Sequence, residues 1–362
     1  MTLRERAEEV ARKLVPLVSE DGRVNVALLG ALASHGLLGE IFRRSDAGYE
    51  PTSAMALCYI REGLARYCTA AETAFALQGL GAYPILLAGQ PSVVDEWIPR
   101  IAAGEVAVGF ALTEPGAGSD AASLALSAVP AGSGFVLSGE KAFISNAPDA
   151  AVYSVFARTS DAGSRGITAF AVPASAAGLS GSRQAMVSPH PIGRLSFADV
   201  YVPSSAVLGS VDDGWRVAMR TLDMFRPSVG AFALGMGQAA LDAAVAYTAD
   251  RRAFGRPLRE FQAVSHQLAD VATRLHAARL LVHDAAAAYD AGGRTGHLSA
   301  MAKLFATETA QQAVDVAVQV HGARALEAGH LLEHLYREVR APRIYEGASE
   351  IQREIIARHL YR

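Results

Sequence analysis

One change of texture constrains this chain more than any other feature. Helical periodicity gives way at about residue 106 to short apolar runs broken by turn residues, and it returns at about residue 214. Before the change, Ala33, Leu37, Leu38 and Ile41 fall at helical spacing, and Val93–Ile101 reads as a short amphipathic helix. Pro and Gly clusters mark breaks at 47–51 and 89–91. Val106–Leu112, bounded by Gly104 and the Pro115-Gly116 turn, suits a buried strand. The runs Gly134–Leu137, Ala151–Ala157, Gly166–Val172 and Leu195–Val200 are separated by Gly, Ser, Pro and Asp, which is all-β punctuation. Later, Val264, Leu268, Val271, Leu275, Ala278 and Val282 form an apolar helical stripe, and further helices are expected over 297–320 and 330–340. Helices, then a β region, then helices is not an alternating β-α-β order, so a Rossmann domain is disfavoured.

Composition narrows the class of partner. The 362 residues allow two or three packed units, and 51% apolar with 19% charged residues is globular. A net charge of −3 argues against nucleic-acid binding, which rests on many phosphate contacts. Two cysteines, Cys58 and Cys68, make neither a disulfide framework nor a zinc ribbon, so a reducing cytoplasm is expected. The charged N-terminus has no apolar core of a signal peptide. The most apolar stretch, Val229–Tyr247, carries glycines and Asp242, and reads as a buried helix instead of a membrane span.

Four stretches carry candidate chemistry. Thr113-Glu114-Pro115-Gly116-Ala117-Gly118-Ser119-Asp120 is a strand-to-loop segment whose glycines let backbone N–H groups approach phosphate oxygens, with Ser119 as a further donor. Taken alone, such a loop is most often an ordinary turn. Gly139–Ala147 (GEKAFISNA) puts Phe143 and Ser145 two residues apart on a strand, so a flat cofactor could lie on one and bond the other. The plain alternative is a hairpin with Asn146 at its turn. Arg251, Arg252 and Arg256 cluster at a Gly-Arg-Pro break, where guanidinium forks suit phosphate or are simply solvated. Finally, Pro342 should end a helix, Ser349 with Gln352 reads as a capping box, and Tyr345-Glu346-Gly347 falls in the connection. A carboxylate beside Ile344 and Tyr345 can have a raised pKa and act as a base, although a solvated loop glutamate is the commoner case. His330-Leu-Leu-Glu333-His334 matches a zinc-peptidase pattern but suggests no third ligand, so no metal is expected.

Together ALTEPGAGSD at 111–120, GEKAFISNA at 139–147, Phe225-Arg226-Pro227, RRAFGRPLREFQ at 251–262 and IYEGASEIQ at 344–352 resemble the acyl-CoA dehydrogenase family over nearly the whole chain. The resemblance implies a mainly α fold with a middle β domain: an N-terminal helical domain (1–108), a β-barrel or sandwich domain (109–208) and a C-terminal four-helix bundle (209–362). It implies FAD, an acyl thioester substrate and a homo-oligomer built as a dimer of dimers. By position, Thr113 and Ser119 would contact the flavin and its pyrophosphate, Phe143 would pack on the isoalloxazine ring, and Ser145 would bond near flavin N5. Arg251, Phe254, Gln319 and Gly322 would serve the FAD of the neighbouring subunit. Asp223 and Arg226 would lie near the pantetheine arm, and Glu346 would be the catalytic base. Some relatives carry the base on the helix that here holds Phe225, and an aromatic cannot serve.

The implied reaction is α,β-dehydrogenation of an acyl-CoA to a 2-enoyl-CoA, with electrons passing to an electron-transfer flavoprotein. A thioester on an acyl-carrier protein is an alternative substrate. A flavin monooxygenase or oxidase on the same fold is an alternative activity, and the presence of Glu346 argues against it.

Overall fold

The computed structural model describes residues 1–46, 48–293 and 295–361. Helices come first: α1 (Leu3–Leu14), α2 (Val26–Ser34), α3 (Leu38–Ile41), α4 (Ala54–Tyr67), α5 (Thr69–Ala88) and α6 (Pro91–Ala102). Thr2 and Glu5 start α1 with a reciprocal capping box, and Ser53 caps α4 through the Ala56 amide. Sequence patterning missed a hairpin between α3 and α4, β1 (Phe42–Ser45) with β2 (Gly48–Pro51). In β1 only Phe42 is buried, so no apolar alternation announces it.

The β region follows: β3 (Val108–Ala111), β4 (Ser127–Ala131), β5 (Gly134–Ser145), β6 (Val152–Arg158), β7 (Ile167–Pro173), β8 (Leu179–Arg183), β9 (Ile192–Pro203) and β10 (Val207–Leu208). Their order in the sheet is β10-β7-β6-β4-β5-β9-β8, and β3 lies parallel to β6. The four expected runs are β5, β6, β7 and β9. β6 and β7 are buried along all but their last residue, which is why they read as continuous apolar runs, whereas β9 alternates. β8 has no buried residue and left no apolar signal.

Helices then resume with α7 (Gly214–Asp250), the short hairpin β11 (Arg252–Ala253) and β12 (Arg256–Pro257), α8 (Gln262–Asp290), α9 (Gly296–His321), α10 (Leu331–Glu338) and α11 (Ser349–Leu360). The fold is therefore mainly α with a middle β sheet. The stripe on α8 is buried from Leu268 to Val282. α7 is long and apolar enough to cross a membrane, but 72% of its most apolar window is buried inside the fold, as expected of a core helix.

The chain forms two compact units. One comprises Met1–Val15, Ser53–Glu72 and Asp223–Arg362, and the other Pro16–Thr52 and Thr73–Leu222. In the second, Leu137, Val155, Phe170, Val172, Leu195 and Val200 build the core of the sheet. In the first, glycines on α7 set helix spacing. A Cβ at Gly235 would lie 2.5 Å from the Glu62 carbonyl oxygen and 2.6 Å from the Ala65 Cβ on α4. Because backbone is what it would strike, the helices would have to part. Gly235→Val is expected to destabilise the protein by about 1–3 kcal/mol in chemical denaturation; an unchanged midpoint would contradict this close approach.

Candidate active site

In the second unit, a buried ion pair staples the 113–120 loop to β5. Glu114 and the fully buried Lys141 meet at 2.8 Å. The Glu114 carboxylate also accepts from the Ala125 and Leu126 amides at 2.6 and 2.9 Å, and Lys141 Nζ donates to the Leu112 carbonyl at 2.9 Å. The Ala142 N–H donates to the Thr113 carbonyl at 3.0 Å. Burial pushes the Lys141 pKa down to about 8 while Glu114 pulls it back up. Sequence reading treated these two residues only as parts of their stretches. Nothing local distinguishes a buried Glu–Lys pair from two solvated charges.

β5 does not keep the simple strand alternation on which the expected shared face of Phe143 and Ser145 rested. β5 shifts register between Lys141 and Ile144, and Phe143 sits in the left-handed region at φ 56°. Its N–H donates to Gln184 Oε1 at 2.8 Å, and the residue is 53% exposed. Ile144 is buried and Ser145 half-buried. Asn146 stands at the turn but is buried, its side-chain amide donating to the Val108 carbonyl at 2.9 Å. Among the described residues, the hydroxyls of Thr113, Ser119 and Ser145 have no hydrogen-bond partner. A Cβ built at Gly116 or Gly118 meets nothing within 4 Å. An exposed aromatic ring, three uncommitted hydroxyls and two glycines facing open space fit the flavin and pyrophosphate that the resemblance implies.

In the first unit, Glu346 sits between a short 3-10 turn at Ala341–Arg343 and α11, at φ 52°. The capping box expected from Ser349 and Gln352 does not form. Ser349 is already the first helical residue, and its hydroxyl donates to Glu308 Oε1 at 2.8 Å. The left-handed turn at Glu346 and Gly347 offers two consecutive carbonyls, and Gln352 serves those instead. Its Nε2 donates to Glu346 O at 3.2 Å and Gly347 O at 2.8 Å. Lys303 Nζ, from α9, donates to Gly347 O at 2.6 Å. Arg226, from α7, donates through Nε to Glu346 O at 3.3 Å and through Nη1 to Asp223 Oδ1 at 2.9 Å. The structure thus brings Asp223, Arg226 and Glu346 together.

The Glu346 carboxylate itself is unpaired. Its Oε2 is buried and has no hydrogen-bond partner among the described residues. Burial pushes its pKa up, against the pull of Arg61, Lys303 and Arg226. Arg61 is 3% exposed, forms an ion pair with the buried Glu72, and donates to Ser228 Oγ at 2.7 Å, which in turn donates to the Phe225 carbonyl. Burial likewise pushes Asp223 up, with Arg226 opposing. Sequence reading missed Arg61, Glu72 and Lys303. Lys303 left a signal, because it falls on the buried face of α9 with Ala300, Ala306 and Ala310.

Arg251, Phe254, Gln319 and Gly322 are all exposed. Phe254 is 96% exposed at φ 51°. The Arg251 N–H donates to the Tyr247 carbonyl at 2.8 Å, and Tyr247 stacks on His321 with ring centroids 4.2 Å apart. That stack ties the arginine segment to the end of α9, where Gln319 and Gly322 lie. The zinc-like pattern is spent on separate partners. His330 Nδ1 accepts from the Leu332 amide, Glu333 pairs with Arg337 at 2.6 Å, and His334 bonds Thr69 Oγ1 at 2.6 Å.

Family descriptions match all along the chain: acyl-CoA dehydrogenase N-terminal domain over 1–105, middle domain over 109–200 and C-terminal domain over 212–361. A cyclohexane-1-carbonyl-CoA dehydrogenase of Geobacter metallireducens is 35% identical over 367 residues, covering 99% of this chain and 95% of that protein. A 3-(aryl)acrylate reductase of Clostridium sporogenes is 40% identical over 282 residues, covering 76% of this chain and 74% of that protein. The solved butyryl-CoA dehydrogenase from Megasphaera elsdenii superposes with a TM-score of 0.92 at 31% identity, covering 100% of this chain and 99% of that one.

The buried pair in the second unit generates an expectation of its own. Lys141→Met leaves the Glu114 carboxyl buried and without its cation, so unfolding stability should fall by about 3–5 kcal/mol. Pairing it with Glu114→Gln should recover part of that loss. A single variant with wild-type thermal stability would show that the pair does not hold the loop.

Proposed function

From the premise that the chain belongs to the acyl-CoA dehydrogenase family, and so is an oxidoreductase acting on CH–CH groups, we propose that it converts an acyl-CoA to its 2-enoyl-CoA, with Glu346 as the base. FAD is its cofactor, and when bound it supplies the two-electron acceptor for the hydride leaving the β-carbon. The observation that carries the residue assignment is the buried, unpartnered Oε2 of Glu346 within reach of three cations.

The thioester carbonyl acidifies the α-proton, and Glu346 Oε2 keeps a lone pair free to take it. Desolvation raises the affinity of Glu346 for that proton, bringing its pKa closer to working pH. Arg61, Lys303 and Arg226 offset the cost of ionisation without bonding the carboxylate. The Glu346 N–H finds no acceptor among the described residues. It serves as a donor to the thioester oxygen, where negative charge develops. Arg226, held by Asp223, lies toward the pantetheine arm. Thr113, Ser119, Phe143 and Ser145 hold the flavin and pyrophosphate. Arg251, Phe254, Gln319 and Gly322 reach the FAD of a neighbouring subunit, which requires a homo-oligomer, a dimer of dimers. An electron-transfer flavoprotein removes the electrons, and the protein acts in the cytoplasm.

Purified protein is expected to carry about one FAD per chain and to bleach with an acyl-CoA; a colourless protein that cannot be reconstituted would overturn the reading. Glu346→Gln should keep its fold and FAD but lose about 10²–10⁴-fold in the rate of flavin reduction. The wild-type rate should fall as pH drops through the raised pKa, because the protonated acid cannot accept a proton. The Gln variant should lack that limb.

A further inference from the structure

We propose that Lys303 and Gln352 are positioning residues for proton abstraction, acting as a clamp on the Glu346 and Gly347 carbonyls that fixes the base and its amide. The inference rests on Glu346 being the base. A glutamate at φ 52° occupies a sparsely populated backbone region, and such a conformation persists only when its surroundings over-determine it. Here donors from three helices converge on two consecutive carbonyls. Arg226 from α7 and Gln352 from α11 share Glu346 O, while Gln352 and Lys303 from α9 share Gly347 O. Gly347, at φ 92°, would strain any side chain, and a Cβ there would lie 2.6 Å from Gln352 Nε2, so the amide would have to shift from its place.

The clamp has a directional consequence. Turning the Glu346–Gly347 peptide plane over would withdraw Glu346 O and aim the Gly347 N–H at Arg226 and Gln352, donor against donor. The peptide is therefore locked in one orientation. With both carbonyls spent, the Glu346 N–H and the carboxylate Oε2 remain available for chemistry. Lys303 suits the task because its side chain is fully buried and one proton is committed to Gly347 O. Its charge then acts on the carboxylate alongside Arg61 from α4 and Arg226 from α7 without being captured by it.

The test uses FAD-loaded enzyme and compares Gln352→Leu, Lys303→Met, their double variant and Glu346→Gln. Stopped-flow flavin reduction with butyryl-CoA and with cyclohexane-1-carbonyl-CoA gives the saturating rate and the substrate Kd. Exchange of the substrate α-proton in D2O reports proton abstraction by itself. Each single clamp variant should lose about 10–100-fold in saturating rate and in exchange, the scale of a small misplacement of a reacting group, while Kd stays within about threefold. The double variant should fall little below the worse single, because both side chains act through Gly347 O. Gln352→Asn, one methylene shorter, should show a smaller loss in the same direction and decides the matter if Lys303→Met fails to fold. Wild-type saturating rates in folded, FAD-loaded clamp variants would overturn the clamp, as would a loss confined to Kd. If Glu346→Gln is slow while the clamp variants are not, only the clamp falls; if Glu346→Gln reduces flavin normally, the base assignment falls.

Discussion

A carboxylate oxygen taken out of water and given no hydrogen-bond donor persists only where positive charge surrounds it. Glu346 Oε2 is that oxygen, and much of the first unit is arranged around it. Arg61 arrives from α4, Arg226 from α7 and Lys303 from α9, yet none of them bonds the carboxylate. Their hydrogen bonds go elsewhere: Arg61 to Glu72 and Ser228, Arg226 to Asp223 and Glu346 O, Lys303 to Gly347 O. Charge stabilises the carboxylate while geometry denies it a partner. A direct salt bridge would lower its proton affinity and block its lone pair; with no cations at all, burial would keep it protonated.

Lys141 and Glu114 use the same ingredients to the opposite end. There the buried cation and anion meet directly, and the carboxylate accepts two further amides. Nothing is left over for chemistry. The pair fixes a loop whose glycines and uncommitted hydroxyls face open space, next to a strand whose bulge turns Phe143 outward. A satisfied charge pair supports structure, whereas an unsatisfied carboxylate ringed by cations stores reactivity.

The succession of helices, sheet and helices was legible because burial writes period into sequence. The α8 stripe and the apolar runs of β6 and β7 are direct consequences of which faces are dry. β8 and the β1–β2 hairpin were not legible, because exposed strands carry no apolar signature. The Ser349/Gln352 capping pattern was present in the sequence, but a left-handed turn just upstream offered the Gln352 amide two carbonyl acceptors. Local pattern lost to tertiary demand.

The sequence by itself determined the class of fold, and it singled out Glu346 as a candidate carboxylate. Glycines, hydroxyls, an aromatic and a glutamate at fixed separations are properties of the chain. Only the tertiary structure decided which charges face Glu346, that its Oε2 is buried without a partner, and that Lys303 and Gln352 grip its turn. Arg61, Arg226, Lys303 and Gln352 lie far apart along the chain, and their convergence depends on how α4, α7, α9 and α11 pack. Electrostatic reactivity is set by distance and dielectric, and neither exists until the helices have packed.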